Sequence, residues 1–247
     1  MGKIRSGDLP PVAVTLLVPL ACRARENQRT DAILRDERAV KLLQQFDEEL
    51  SRLGDTNDME QVCILLRARR FDHYAQTFLA RYPDAVIVEI GCGFDTRFHR
   101  LDNGRLTWYG MDLPEVIAIR RRLLPEGKRN RLIACSVMDL TWMDTIPRKT
   151  PRPTIFLAEG VFPYFKPDDV RRLILALRAH FPVSEVVFDG LSSLSISMHQ
   201  LTTPVLKVTG TRLQWAINNG RELESWGEGI HLLNEWFYYD NDEPTMC

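Results

Sequence analysis

Residues 86–97 read VIVEIGCGFDTR, and no other stretch of the 247-residue chain limits its fold so tightly. Val86, Ile87, Val88 and Ile90 make a nearly continuous apolar run, the pattern of a short strand buried on both faces of a parallel sheet. Glu89 interrupts the run just before two glycines. A carboxylate at the carboxyl end of such a strand points into the crevice where open α/β sheets bind ligands. Gly91 and Gly93 have no Cβ, so the backbone can turn tightly there and approach a bound molecule closely.

The rest of the chain alternates strands and helices, which predicts an α/β fold: a mostly parallel sheet with helices on both faces. Strands are expected at Val86–Ile90, Thr107–Asp112, 131–135, 154–159 and 185–191, with helices at 96–101, Pro114–Leu123 and Pro167–His180. Pro114 and Pro167 fall in the first helical turn, where the missing N–H costs nothing. Upstream, residues 36–46 and 59–82 repeat apolar residues at helical spacing, and Pro83 stops the second helix. Residues 230–239 mix aromatics with Asn234 and Glu235 and read as an antiparallel edge strand. The apolar stretch 12–22 contains Pro19, runs straight into charged residues and is too short to span a bilayer. It is expected to be a helix that packs on the domain or covers its cleft, not a signal segment.

A Gly-x-Gly turn by itself fits a ligand-free corner as well as a binding loop. Asp112, which ends the next strand 19 residues after Gly93, sits where a carboxylate can meet ribose hydroxyls in a nucleotide-binding βαβ unit. Asp95 and Thr96 occupy positions where a dinucleotide fingerprint needs small residues, and Asp95 would repel a pyrophosphate. A nucleoside without phosphates fits better, and S-adenosylmethionine is the commonest of that kind.

The composition, 45% apolar and 26% charged, suits one domain spanning residues 1–247, with a helical cap over 1–82 and a Rossmann-like core over 83–247. A net charge of −1 gives no electrostatic case for nucleic acid or an anionic membrane as partner. The five cysteines (Cys22, Cys63, Cys92, Cys135, Cys247) show no metal-binding spacing and no C-x-x-C pair, the usage of a reduced, cytoplasmic protein.

Four phrases, VEIGCGFDTR (88–97), WYGMDLPE (108–115), IAIRRRLLP (117–125) and AEGVFPY (158–164), occur in an order and spacing that resembles the leucine carboxyl methyltransferase family. They are most similar to its bacterial branch, the O-methyltransferases of polyketide biosynthesis. The resemblance implies a class I methyltransferase fold, a seven-stranded, mostly parallel sheet under a helical amino-terminal cap, with S-adenosylmethionine as cofactor. It implies that Arg67 binds the cofactor's methionine carboxylate and that Gly91 and Gly93 lie against its methionine and ribose portions. Asp112, with Leu113 beside it, would take the ribose hydroxyls. Met138 and Asp139 would flank the adenine, and Glu89 and Glu159 would lie near the methionine end.

Each role has a plainer structural alternative. Arg67 is one of three arginines on its helix and could simply be solvated; Asp139 could cap the turn before Trp142; Glu159 could be tied to backbone amides; Tyr164 could be core. The resemblance places the substrate lid near 191–226, with Tyr164 and His199 as positioning candidates. A carboxylate acceptor needs no base, whereas a hydroxyl acceptor would, and His199 could serve it. The acceptor is expected to be a small polyketide-like or aromatic molecule. Alternatives are a protein C-terminal carboxyl or a non-catalytic scaffold role. Only residues 240–247 follow Tyr239, so the sheet is expected to be shortened or completed otherwise, for example by dimerisation; monomer and homodimer both stay open.

Overall fold

In the computed structural model, β1 (Val86–Ile90) is buried along its whole length at the centre of the sheet. The structure describes residues 3–5, 9, 14–53, 57–147, 152–202 and 212–238. β2 (Thr107–Asp112) and β3 (Asn130–Ala134) lie on one side of β1, and β4 (Thr154–Ala158) and β5 (Ser184–Phe188) on the other, in the order β3-β2-β1-β4-β5. All four pairings are parallel. The chain direction across the sheet therefore reverses between β1 and β4, and the crevice at that switch point is where α/β sheets take ligands.

Alternation along β1 divides the core. Val86, Val88 and Ile90 face Trp142, Phe156 and Phe162, together with Val170, Leu173 and Leu177 of α7 (Pro167–His180). Ile87 faces Phe71, Ala75 and Phe78 of α4 (Asp58–Arg81) and Phe98 and Leu101 of α5 (Arg97–Leu101). α6 (Pro114–Leu123) covers the same face nearer β3 through Ile117, Leu132 and Cys92. Gly110 is the glycine this packing requires, since a Cβ there would stand 3.2 Å from both Cys92 Sγ and Leu132 Cδ2.

Local chemistry sets the helix ends. The Asn57 side chain accepts from Glu60 N at 2.9 Å to start α4, and Asp36 accepts from Ala39 N at 3.0 Å to start α2 (Glu37–Leu43). Pro167, with Asp168 and Asp169 behind it, opens α7, and His180 lies in its last turn, the charge order the helix dipole favours. Of the region expected as a cap, α1 (Leu17–Glu26), α2 and α3 (Glu48–Leu53) form an amino-terminal layer whose buried Leu17, Leu20, Leu42, Phe46 and Leu50 pack on Phe94, Val116 and Ile119. The expected helix in 12–22 thus lies further along the chain, ending at Glu26, and residues 12 and 13 fall outside those described.

One expected element is absent. Residues 230–238 are not a strand. Their polar and aromatic side chains are used locally instead: Tyr74 Oη donates to Asn234 Oδ1 at 2.5 Å, Arg70 lies 4.8 Å over the Trp236 ring, and Glu235 accepts from Gly220 N at 2.9 Å. The segment is spent on α4 and on the turn at Gly220–Trp226, so it adds no edge to β5. Tyr239 and residues 240–247 fall outside the described residues, and the described sheet is parallel throughout rather than mostly so. α8 (Ser193–Thr202), after β5, had no sequence-based expectation as a helix.

Ile87 is fully buried between two helices. Ile87→Ala is expected to lower unfolding free energy by about 3 kcal/mol in urea titration; a loss under about 1 kcal/mol would mean that this face of β1 is loosely packed.

Candidate active site

The turn after β1 is pinned from three directions. Gly91 and Gly93 adopt φ of 66° and 41°, a region where a side chain would be strained. Asp112, at the end of β2, accepts from Gly93 N and from Leu113 N, both at 2.8 Å. Buried Arg120 of α6 donates to the carbonyls of Cys92 and Gly93 at 2.9 and 2.7 Å. The positions a Cβ would take at Gly91 and Gly93 are filled by Val161 and Leu16. Burial pushes the Asp112 carboxyl above its ordinary range even though two amides hold it.

Behind this turn lies a buried web of charge centred on Arg97. Its Nε donates to Asp72 at 2.5 Å, one terminal nitrogen to Glu89 at 3.0 Å and the other to Glu159 at 2.5 Å, with Asp95 at 3.4 Å. Arg100 bonds Asp72 at 2.8 Å and Asp36 at 2.7 Å, and Arg23 of the cap bonds Asp36 at 3.1 Å and the carbonyl of Phe94 at 3.3 Å. Asp95 would be disfavoured as an anion by its burial, but Arg23, Arg97 and Arg100 outweigh that and hold it well below the usual carboxylate range. Glu89 goes the other way: burial and then the Asp95 charge push it up to about 7, against the pull of Arg97. Its Oε2 is buried with no hydrogen-bond partner among the described residues.

Arg67 closes the corner beyond β4 and β5. Its Nε donates to Glu159 and a terminal nitrogen to Asp189, both at 3.0 Å. Burial works against its charge, yet Asp189 and Glu159 together raise its pKa. Arg67 is thus ion-paired, not one of a solvated row. Glu159 is tied to two guanidiniums, not to backbone amides. Burial raises the phenol of half-buried Tyr164, with Arg67 and Asp189 acting on it.

The other expected residues stand apart from this corner. Met138, half-buried, packs against the large core cluster. Asp139, exposed, caps the turn Leu140–Thr145 by accepting from Thr141 N at 3.2 Å and Thr141 Oγ1 at 2.8 Å, the local role that competed with adenine binding. His199 is exposed on α8. Sequence reasoning missed Asp72, Arg97, Arg120 and Asp189. Arg97 lay inside the glycine motif, and Asp189 stands one residue past β5 just as Glu159 stands past β4, a signal that was available.

Comparison with known proteins settles the kinship. The profile of the family described as leucine carboxyl methyltransferase matches residues 17–178. The chain belongs to that family. It is 35% identical over 235 residues to the tetracenomycin polyketide synthesis O-methyltransferase TcmP of Streptomyces glaucescens, covering 94% of this chain and 85% of that protein. It is 30% identical over 242 residues to the S-adenosyl-L-methionine-dependent methyltransferase dpfgK of Gibberella zeae, covering 90% and 81%. Among solved structures it is similar to human N-acetylserotonin methyltransferase in complex with SAM, with a TM-score of 0.45 and 11% identity over 72% of this chain and 52% of that one.

This member of the leucine carboxyl methyltransferase family is an S-adenosylmethionine-dependent methyltransferase with a Rossmann-like α/β fold. The residues present fit that cofactor. Among the described residues the web joins six carboxylates (Asp36, Asp72, Glu89, Asp95, Glu159, Asp189) to four guanidiniums (Arg23, Arg67, Arg97, Arg100), with buried Arg120 acting on Glu89 and Asp95 as a fifth, and this acid-rich corner suits a cationic ligand. The unpartnered Glu89 Oε2 belongs to the same region. No group of three or more His, Cys, Asp or Glu among the described residues is arranged to hold a metal, and none of the described helices is long and apolar enough to cross a membrane.

Glu89 gives a pH test. Its folded-state pKa lies above its ordinary value, so its contribution to stability is greatest at low pH and is lost as pH rises through about 7. The stability of wild type minus that of Glu89→Gln is expected to fall by roughly 2 kcal/mol between about pH 5 and pH 8.5 in urea titrations. A flat difference would show that Glu89 stays ionised throughout.

Proposed function

We propose that this enzyme is an O-methyltransferase acting on a carboxyl or hydroxyl oxygen of a small aromatic or polyketide-like molecule. The observation that carries this reading is an aromatic group beginning where the acid corner ends, with half-buried Phe188 and Trp226 as its accessible rings and buried Phe162 and Trp215 beneath them. Phe188, the last residue of β5, stacks on Trp215 at 5.7 Å; Phe162, just past β4, lies 5.2 Å from Phe188, and Trp226 lies 5.8 Å from Trp215. Phe188 directly precedes Asp189, so an apolar acceptor seated on the rings would have its reacting oxygen beside the charged corner. The printed name of TcmP, a polyketide synthesis O-methyltransferase, supports the same acceptor class.

When bound, the cofactor supplies a methyl group on an already activated sulfonium, and the enzyme's contribution is alignment. In this reading Arg67 holds the methionine carboxylate through its guanidinium fork, and Glu89 and Glu159 face the ammonium end. Gly91 and Gly93 let the backbone come close as the Val161 and Leu16 side chains that lie against them yield to the ligand, and Asp112 and Leu113 receive the ribose. Met138 and Asp139 flank the adenine, with Asp139 turning from its local cap toward the ring. Tyr164, kept neutral by its burial, can donate a hydrogen bond to the acceptor. His199 on α8 is the base for a hydroxyl acceptor, whereas a carboxylate attacks without one. The protein works in the reduced cytoplasm on a small molecule, consistent with the free thiols of Cys22, Cys63, Cys92 and Cys135.

The test pairs binding with turnover. Calorimetry with S-adenosylhomocysteine is expected to show at least tenfold weaker binding in Arg67→Ala and in Asp112→Ala, a change of about 1.4 kcal/mol. Aromatic carboxylic acids and phenols supplied with S-adenosylmethionine are expected to yield methyl esters or ethers detectable by mass spectrometry. Undiminished binding in both variants would overturn the cofactor placement, and methyl incorporation into protein carboxyl termini alone would overturn the acceptor class. With a carboxylic acid, turnover is expected to stay flat above about pH 6; with a phenol it should rise with pH.

A further inference from the structure

We propose that Asp189 is a cofactor-binding residue, orienting Arg67 toward the methionine carboxylate and accepting, beside Glu159, from the methionine ammonium. The inference rests on the cofactor placement above and adds a residue to it.

The placement follows from register. Ala158 of β4 pairs with Phe188 of β5, so Glu159 and Asp189 leave adjacent parallel strands at the same level, both at the carboxyl edge next to the switch point. Two acids placed side by side repel one another, and Arg67 bridges them at 3.0 Å to each. The bridge does not treat them alike. Glu159 also receives Arg97, which is itself shared with Asp72, Glu89 and Asp95. Among the described residues Asp189 has Arg67 as its one ion-pair partner, and its side chain keeps 19% of its surface exposed.

Its second oxygen is employed in shaping the site. Asp189 Oδ1 accepts from Gly160 N at 2.6 Å, which fixes the turn after β4. Gly160 there has φ of 67°, and the Arg67 guanidinium lies over it, with a terminal nitrogen 3.6 Å from where a Cβ would stand. A single carboxylate thus sets both the guanidinium and the backbone beneath it. The result is a cation and an anion in contact at one spot, the arrangement complementary to an α-amino acid, whose carboxylate and ammonium sit on one carbon. An ammonium offers three donors, enough to reach Glu159 and Asp189 together. Burial raises the Asp189 carboxyl despite Arg67, as expected of an acid short of positive partners.

The test uses two nucleosides that differ in the amino-acid portion. Calorimetry with S-adenosylhomocysteine and with 5′-methylthioadenosine, which lacks that portion, is run on wild type and Asp189→Asn, alongside thermal melts of the free proteins. Asparagine retains the size and can still accept from Gly160 N. The proposal expects S-adenosylhomocysteine affinity to fall at least tenfold in Asp189→Asn, with 5′-methylthioadenosine affinity changing less than twofold and the free-protein melting temperature shifting by only a few degrees. Unchanged S-adenosylhomocysteine affinity would overturn it. Equal loss for both nucleosides would also overturn it, marking Asp189 as a support of the fold alone. A wild type that binds neither nucleoside would overturn the cofactor placement itself, and this proposal with it.

Discussion

The Arg97 guanidinium is the interaction on which the other parts depend. It is 1% exposed, and its three nitrogens are shared among Asp72 of α4, Glu89 of β1, Asp95 of the glycine turn and Glu159 past β4. Bringing a guanidinium out of water is costly, and the cost is offset only when every donor finds a partner in good geometry. Four segments far apart in sequence must therefore arrive together. Removing Arg97 itself would leave four carboxylates together in the interior, a loss on the order of 3–5 kcal/mol. The web consequently ties the ligand crevice to the fold: the acids that face the crevice are the same acids that hold α4 against β1.

The cap joins through the same chemistry. Arg23 reaches from α1 to Asp36 and to the Phe94 carbonyl, while Thr96 and Arg100 from the core side meet Asp36 as well. Leu17, Leu20 and Phe46 supply the apolar burial that binds the cap, but apolar contact is non-directional. The ion pairs fix the cap's position and bring Leu16 against Gly93. The amino-terminal helices are thereby fitted to the turn they cover.

How far the sequence could be read follows from which signals are local. The five strands, α4, α6 and α7 were legible because apolar runs, prolines and caps act over a few residues, and their observed ends lie within a few residues of those expected. The meeting of the glycine turn with Asp112 was legible because a fixed motif spacing encodes it. Arg97 and Asp72 were not read as partners, although both were in view, since a salt bridge between residues 25 apart leaves no periodic trace. The expected strand at 230–239 failed for a related reason. Aromatic and β-branched content marks a half-buried surface, and the surface available to residues 230–238 was the flank of α4 with Arg70, not a sheet edge. Asp139 shows a third case: its local role was legible, because an acid two residues before Thr141 can cap the turn there, and it accepts from the Thr141 amide and hydroxyl.

The sign of the charge left over in the web bears on function. A structural network has no reason to carry more acids than bases, because each unmatched carboxylate buried in low dielectric destabilises the chain. Here the imbalance is not spread evenly. Asp95 is well supplied with guanidiniums and held firmly ionised, whereas Glu89 and Asp189, at the ends of β1 and β5, are raised by burial with less compensation. Both lie near the carboxyl edge of the sheet, as does Asp112 at the end of β2, which burial raises as well. A fold that keeps under-compensated carboxylates at its crevice has a free-energy gain in reserve for a ligand bearing positive charge, and S-adenosylmethionine brings both a sulfonium and an ammonium.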